Sequence, residues 1–246
     1  PRFRVIPRRS KQLVIFFSDA STPDHVFQWE QRAERIGASV ILVNNGPNEW
    51  YQGGIDGLGG SVEEVAQTFR GWADHLTAHR IYMVGTGMGG SGALLYGAKM
   101  DARVLAFAPD TRTDLPRGNV RMLMDRGFTP PYQELRPLFS GSRAIVDVIS
   151  GENEPSDLLS AAHLTYLPGV NVISLRGVPN GPTNYLKARK RLGPILDAFL
   201  GDQPFPDLPE EGDGVLAAGY ARALHEGYDL DIRKRDGDAE RRSRGG

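Results

Sequence analysis

The hydrophobic positions of this chain follow two alternating patterns over its first 200 residues. Short, nearly continuous apolar runs, such as QLVIFF at residues 12–17, are typical of strands that are buried on both faces. Between these runs lie longer segments whose apolar residues recur every three or four positions, which is typical of helices with one buried face. The alternation of the two patterns predicts an α/β fold, with a mainly parallel sheet and helices on both faces.

The individual elements can be placed from these patterns. Strands are predicted at residues 12–17, 38–45, 80–86, 102–110, 142–150 and 170–177. Helices are predicted at residues 25–37, 62–76, 89–100, 156–164 and 184–200. Ser61 should cap the second helix, with Glu64 as its capping-box partner. Residues 111–140 contain several Arg and Pro and are interpreted as an irregular insertion over the carboxyl edge of the sheet.

The composition changes after residue 200. The segment GDQPFPDLPEEGDG is rich in proline and acidic residues, which is typical of a linker. The residues after it could form one or two amphipathic helices and end in a charged stretch. We therefore expect an α/β domain at residues 1–200 and a linker with a helical or disordered tail at residues 201–246, through which a protein partner could bind.

Composition and charge exclude several classes of function. The net charge of −1 over 246 residues provides no general positive field for nucleic acid or an anionic membrane. The absence of cysteine excludes disulfides, thiolate metal sites and cysteine nucleophiles. His75 and His79 are four residues apart, but no third ligand accompanies them, so we expect no metal and no cofactor. No apolar run approaches the roughly 18 residues of a membrane span, and we expect a cytoplasmic protein.

The segment MVGTGMGGSGALLYG, at residues 83–97, joins a predicted strand to a predicted helix through a glycine-rich turn. Residues 85–90 fit the pattern G-x-G-x-x-G, which is typical of dinucleotide-binding turns. Asp110 lies 20 residues beyond Gly90, where a ribose-binding carboxylate would be expected. Two strand–helix units precede this turn, however, whereas the dinucleotide pattern usually opens its domain. Dinucleotide binding is therefore kept as an alternative.

The same segment resembles the nucleophile elbow of the α/β-hydrolase superfamily, which reads G-x-S-x-G before a helix of small residues. Together with NNGPNEWYQGGIDGLGGSVEEV, it resembles the α/β-hydrolase-like domains of bacterial polysaccharide-related proteins. The resemblance covers about residues 12–200 and is strongest over residues 40–110. It implies an α/β-hydrolase fold in which the position of the nucleophilic serine is occupied by Gly87.

The resemblance also implies positions for the other two members of a catalytic triad. The acid belongs after the strand at residues 142–150, where Asp157 and Glu152 are the best candidates. The histidine belongs after the strand at residues 170–177, and Asn180 stands at that position. Glycine cannot attack a carbonyl carbon, and asparagine is not a base near neutral pH. The triad is therefore degenerate, unless Gly87 replaces an original serine or an unusual nucleophile acts instead.

Several residues remain candidates for ligand binding. Ser18 and Asp19 follow the first predicted strand, where this superfamily places one N–H group of its oxyanion hole. Backbone N–H groups at Met88 and Gly89 would favour an anion or a polarised carbonyl oxygen. Other residues that could reach the site are the aromatic pair Trp50 and Tyr51, His25, Arg112, Arg117 and Arg121. Our hypothesis is a binding or scaffolding module, with a small-molecule or glycan ligand in a bacterial glycan pathway; the alternative is an ester or acyl hydrolase.

Overall fold

The computed structural model describes residues 2–115, 118–178 and 181–208. The strands are β1 (Phe3–Ile6), β2 (Gln12–Phe17), β3 (Ser39–Val43), β4 (Arg80–Thr86), β5 (Arg103–Phe107), β6 (Ile145–Gly151) and β7 (Val170–Leu175). The helices are α1 (Glu30–Ala33), α2 (Val62–His75), α3 (Met88–Met100), α4 (Asn119–Leu123), α5 (Pro155–Ala162), α6 (Pro182–Ala188) and α7 (Leu192–Leu200). A short 3-10 helix covers Arg136–Phe139.

The seven strands form one sheet with the order β1-β3-β2-β4-β5-β6-β7. All neighbouring strands are parallel except β1, which runs antiparallel to β3 and pairs Phe3 with Val43. The six predicted strands and their parallel arrangement are confirmed. The edge strand β1 was missed, because its four residues are too few to give a periodic signal and are only partly buried.

Alternate residues of each central strand enter two separate cores on opposite faces of the sheet. In β2, Ile15 and Phe17 pack with α2 and α3, whereas Val14 and Phe16 pack on the opposite face with α1, α6 and α7. Side chains of a strand alternate between its two faces, so a fully apolar strand needs helices on both. The observed layers therefore match the prediction made from the continuous apolar runs.

Two of the predicted helices differ in the structure. The helix predicted at residues 25–37 is reduced to α1, because the Asn44 side chain donates to the carbonyl groups of Pro23 and Val26 (both 2.9 Å) and holds this segment in turns. The helix predicted at residues 184–200 is divided into α6 and α7, and Lys190, between them, has a φ of 57°. Pro194 has no N–H for the carbonyl of Lys190, four residues earlier, and its ring clashes with that group.

The first residues after α7 pack on the domain. Asp202 forms ion pairs with Arg80 and Arg103, each at 2.8 Å, and Leu208 is buried. The chain from residue 209 onward lies outside the described residues, so the division at residue 200 and the nature of the tail remain predictions. Among the described residues, no helix is long and apolar enough to cross a membrane.

The turn from β4 into α3 requires glycine at two positions. An added Cβ at Gly85 would lie 2.1 Å from the carbonyl oxygen of Gly89. At Gly89 it would lie 2.4 Å from the carbonyl oxygen of Phe17, in β2. These contacts are with backbone atoms, which cannot rotate away. The glycine pattern in the sequence thus records how closely α3 approaches the sheet.

The structural demand at this turn can be tested by comparing two Gly→Ala substitutions. Gly85→Ala should lower the free energy of unfolding by about 1–3 kcal/mol or more, because the new methyl group overlaps backbone atoms. Gly71→Ala is the control, since Gly71 lies inside α2 with nothing within 4 Å of the added Cβ. The control should stabilise the protein by about 0.5–1 kcal/mol. Urea denaturation measures both changes, and equal stability of the two variants would contradict the prediction.

Candidate functional site

The candidate site lies at the carboxyl end of β4, where the chain turns sharply into α3. Gly87 forms the tip of the turn, with φ of 53° and ψ of −123°. Its N–H donates to the carbonyl oxygen of Phe107, at the end of β5 (2.9 Å). The backbone therefore has the strained strand–turn–helix form of a nucleophile elbow, although its tip has no side chain.

The carboxylate of Asp19 occupies the space beside the tip of the elbow. Its Oδ1 accepts hydrogen bonds from the N–H groups of Met88 (2.9 Å) and Ala20 (2.7 Å). An added Cβ at Gly87 would lie 2.3 Å from the same oxygen. Burial raises the pKa of Asp19, and the hydrogen bonds from Ala20 and Met88 oppose this rise.

These two N–H groups stand where the resemblance to α/β-hydrolases implies the donors of an oxyanion hole. In α/β-hydrolases, one donor is the residue after the nucleophile, and the other lies in the loop after a neighbouring strand. Met88 follows Gly87 directly, and Ala20 lies in the loop after β2. The N–H of Met88 was expected to be free for a ligand, but in this structure it donates to a carboxylate of the chain itself. The same expectation for Gly89 stays a prediction.

A cavity of about 200 Å³ opens in front of the elbow. The residues that line it are mostly polar. They belong to the loop after β2, the elbow, the insertion and the start of α6. The lining residues are Asp19, Ala20, Gln28, Trp50, Thr86, Gly87, Met88, Ala108, Asn119, Leu123, Gly181, Thr183 and Asn184. No histidine of the described chain is among them. The cavity thus offers hydrogen-bonding groups and one carboxylate, without a base of the usual triad.

The predicted acid positions have separate environments. Glu152 accepts a hydrogen bond from the hydroxyl of Ser174, at 2.9 Å. Asp157 is buried near the start of α5, and its Oδ2 has no hydrogen-bond partner among the described residues. Neither residue lines the elbow cavity. Asn180, the position implied for the histidine, lies outside the described residues.

Asp110 is a buried carboxyl that the triad positions did not include. Its Oδ2 accepts a hydrogen bond from the indole Nε1 of Trp50 (2.9 Å), and its carbonyl accepts one from the Ser91 hydroxyl (2.7 Å). Burial raises the pKa of Asp110 to about 7. Burial, followed by the charges of Asp110, Glu154 and Asp19, raises the pKa of Asp157 to about 8.

The geometry around Asp110 also weakens the case for dinucleotide binding. Asp110 does not line the elbow cavity and is buried beneath Trp50, so it is not placed to reach a ribose. The N–H group that would bind a phosphate at the start of α3 already donates to Asp19. The glycine pattern is explained by the close approach of α3 to the sheet.

The aromatic pair Trp50 and Tyr51, which could have reached a ligand, is buried. Tyr51 is fully buried, and its hydroxyl donates to the carbonyl of Ser18 at 2.7 Å. Trp50 contributes to the cavity wall but is only 2% exposed. Both residues have positive φ angles, of 52° and 61°, which turn the two rings into the protein. Ser18 is also buried, and its hydroxyl accepts from the N–H of Gln28 at 3.3 Å.

The other candidates lie away from the elbow cavity or are already engaged. His25 is exposed and does not line the cavity. His163 is 9% exposed, with its Nε2 at 3.1 Å from Glu134 Oε2. Arg112 forms an ion pair with Asp114, and Arg121 is exposed on α4. Arg117 lies outside the described residues. Of the candidates within the described ranges, the structure thus brings Asp19, Gly87, Met88 and Trp50 together at the cavity.

The raised pKa values of Asp110 and Asp157 predict how stability depends on pH. Above about pH 5 the unfolded chain has released both protons, whereas the folded chain retains them until about pH 7–8. These two carboxyls should therefore make the free energy of unfolding fall as pH rises from about 5 to 8, by up to about 1.4 kcal/mol per pH unit for each group. Asp110→Asn should reduce this slope, and the exposed control Asp56→Asn should not. Urea denaturation at several pH values measures the slopes; identical slopes in all three proteins would contradict the prediction.

Comparison with known proteins identifies the fold. No family model and no curated protein matches the sequence. Among solved structures, the capsule O-acetyltransferase of Neisseria meningitidis serogroup A superposes with a TM-score of 0.53 at 14% identity, over 76% of this chain and 89% of the other. The Gap123 glycosylation-associated protein complex from Streptococcus agalactiae gives a TM-score of 0.51 at 14% identity, over 77% of this chain and 43% of the other.

An α/β-hydrolase enzyme from a Medee basin deep-sea metagenome library is also similar. It gives a TM-score of 0.55 at 12% identity, over 84% of this chain and 96% of the other. Identities this low show a shared fold and no more. The chain therefore has the α/β-hydrolase fold, as the resemblance of its elbow implied, with glycine at the tip of the elbow.

Proposed function

We propose that this protein is an α/β-hydrolase-fold module that binds a ligand and has lost serine-hydrolase chemistry. The observation that supports this most strongly is the position of Asp19. Its carboxylate accepts hydrogen bonds from the two N–H groups that would stabilise a tetrahedral oxyanion. A negative oxygen already bound there would repel the negative oxygen of a transition state. The site thus lacks a nucleophile at Gly87 and has no accessible oxyanion hole.

The nearby serines do not replace the missing nucleophile. The hydroxyl of Ser91 is buried, donates to the carbonyl of Asp110, and accepts from the N–H of the same residue. The hydroxyl of Ser18 is also buried and accepts from the N–H of Gln28. Neither has a histidine partner among the described residues. Both serines have structural contacts that account for their positions.

The proposed ligand is polyhydroxylated, such as a saccharide. The cavity carries amide and hydroxyl groups from Gln28, Asn119, Thr86, Thr183 and Asn184, which can both donate and accept hydrogen bonds. Asp19 adds a carboxylate, which accepts hydrogen bonds from hydroxyl groups. A place in a bacterial glycan pathway also forms part of the proposal, since the similar structures include a capsule O-acetyltransferase and a glycosylation-associated complex.

A scaffolding role with a protein partner belongs to the same proposal. The Gap123 neighbour is itself a complex, which supports assembly as a use of this fold. We propose that the segment after residue 208, which includes the amphipathic stretch of the sequence, carries the partner contact, and that the protein acts in the cytoplasm. Pull-down of the full chain, with a chain ending at residue 208 as control, would test the contact.

The parent protein should not react with serine-directed probes. A fluorophosphonate probe should give no stoichiometric labelling, and p-nitrophenyl acetate should be hydrolysed at the rate without protein, because Gly87 has no nucleophilic atom. Intact-mass spectrometry and absorbance measure these results. Labelling of Ser91 or Ser18 would contradict the proposal and favour an ester hydrolase with an unusual nucleophile.

Esterase activity should appear only when a nucleophile, free oxyanion-hole donors and a base are all supplied. Gly87→Ser alone should give no turnover, because its Cβ overlaps Asp19 and no histidine of the described residues lines the cavity. Asp19→Ala with Gly87→Ser should free the two N–H groups for an oxyanion. Adding Asn180→His should then raise p-nitrophenyl acetate hydrolysis by a further ~100- to 10,000-fold if the new imidazole reaches the serine. Full turnover by Gly87→Ser alone would show that the machinery is intact and that the proposal is wrong.

Binding of saccharides to the cavity can be tested directly. Titration of neutral mono- and disaccharides, followed by NMR shifts of the backbone amides, should show binding centred on the elbow. Thr86→Val and Asn119→Ala should weaken it several-fold, since each removes a hydrogen-bonding group of the cavity. Asn171→Ala is the matched control, because Asn171 lies at the opposite end of the sheet, in β7. Equal weakening by the control, or shifts elsewhere only, would contradict a saccharide site.

A further inference from the structure

A second concavity lies beside the elbow cavity, between α1, α6 and the start of α7. Its volume is about 370 Å³. It shares Gln28, Thr183 and Asn184 with the elbow cavity, so the two adjoin. Pockets of about 300–1,000 Å³ are typical of sites for small molecules. We call this concavity the basic groove, after four of its lining residues: Arg32, Arg35, Lys187 and Lys190.

The charge of the basic groove is strongly one-sided. Among the described residues, its lining contains these four basic side chains and no acidic one. Arg32 forms an ion pair with Asp197, whose side chain is 69% exposed. Arg35, Lys187 and Lys190 form no ion pair with any carboxylate in the described part of the chain. Clustered charges of one sign beside an apolar surface raise the local concentration of the opposite ion.

The guanidinium of Arg32 is only partly paired within the described residues. One terminal nitrogen of its guanidinium contacts Asp197. Its Nε is buried and has no hydrogen-bond partner within the described ranges. A buried donor without an acceptor costs free energy, so Asp197 alone does not satisfy this guanidinium. The guanidinium suits phosphate in particular, because its N–H groups are arranged to bind two oxygens at once.

The start of α7 adds to the same preference. Leu192 and Gly193 form its first turn and line the groove. The N–H groups of a first helical turn point outward and carry partial positive charge. An added Cβ at Gly193 would meet nothing within 4 Å, so there is open space beside this turn. Trp29 and Leu196 form an apolar floor, which strengthens nearby electrostatic interactions.

We propose that the basic groove binds a compact anion with at least two negative charges, such as the phosphate groups of a small phosphate ester. A long polyanion such as nucleic acid is not favoured, because the groove is bounded by three helices and the net charge of the chain is −1. The proposal goes beyond saccharide binding at the elbow and does not depend on it, since the four basic residues do not line the elbow cavity.

Calorimetric titration of the full chain with inorganic pyrophosphate tests the proposal. The parent should bind at low salt, and binding should weaken as salt is added. Lys187→Glu should lower the affinity roughly fivefold or more, since it replaces an attraction by a repulsion. Lys11→Glu is the control, because Lys11 is exposed at the amino end of β2, away from the groove.

A second pair of variants separates loss of binding from loss of folding. Gly193→Glu places a negative charge in the open space of the groove, while an acidic residue in a first helical turn favours the helix. It should lower pyrophosphate affinity at unchanged thermal stability, and Gly193→Ala should not. No binding heat at millimolar pyrophosphate, or equal losses in Lys187→Glu and Lys11→Glu, would overturn the proposal. Glucose 1,6-bisphosphate and ADP then distinguish a sugar phosphate from a nucleotide as the preferred source of the phosphates.

Discussion

The structure is organised by the close approach of α3 to the centre of the sheet. The helix starts directly at the end of β4 and packs against β2 and β5 as well. Gly85 and Gly89 meet backbone atoms at distances that exclude any side chain. This contact fixes the direction in which the elbow points and brings the loop after β2 beside it. The position of Asp19 next to Gly87 follows from the same contact.

The elbow has the backbone form of a catalytic scaffold, without a side chain at its tip. The backbone of Gly87 has the strained conformation that presents a nucleophile in active members of the fold. Without a side chain at that position, there is room for the carboxylate of Asp19. That carboxylate satisfies the N–H groups of Met88 and Ala20, which would otherwise be left without partners beside a cavity. The carboxylate of Asp19 thus stabilises the turn beside the tip of the elbow.

Two groups of charged residues lie near the elbow cavity. Asp19, Asp110 and Asp157 lie near one another beneath the elbow, where burial raises the pKa of each. The basic groove lies on the other side of the elbow cavity, against α1 and α6. A ligand that extends from the cavity into the groove would therefore meet hydroxyl and amide groups first and cationic groups next. The two ends of such a ligand would therefore contact different chemical groups.

The sequence alone determined the layers of the fold, because the periodicity of apolar residues records which faces are buried. It also showed that the tip of the elbow, Gly87, carries no nucleophilic side chain. It did not reveal β1, which is too short for a periodic signal, or the division of the last helix near Lys190. The strand β1 depends on its pairing with β3, and the division of the last helix depends on Pro194. Neither depends on a repeated pattern.

Only the tertiary structure decided what occupies the site. Asp19 and Met88 are 69 positions apart in the chain, and Arg32 and Lys187 come from opposite ends of the domain. Their proximity depends on the order and twist of the strands, which local patterns do not specify. The buried state of Tyr51 likewise follows from its unusual backbone angle and from contacts across the sheet. Local sequence specifies which groups are present, and the packing of distant segments decides which of them meet.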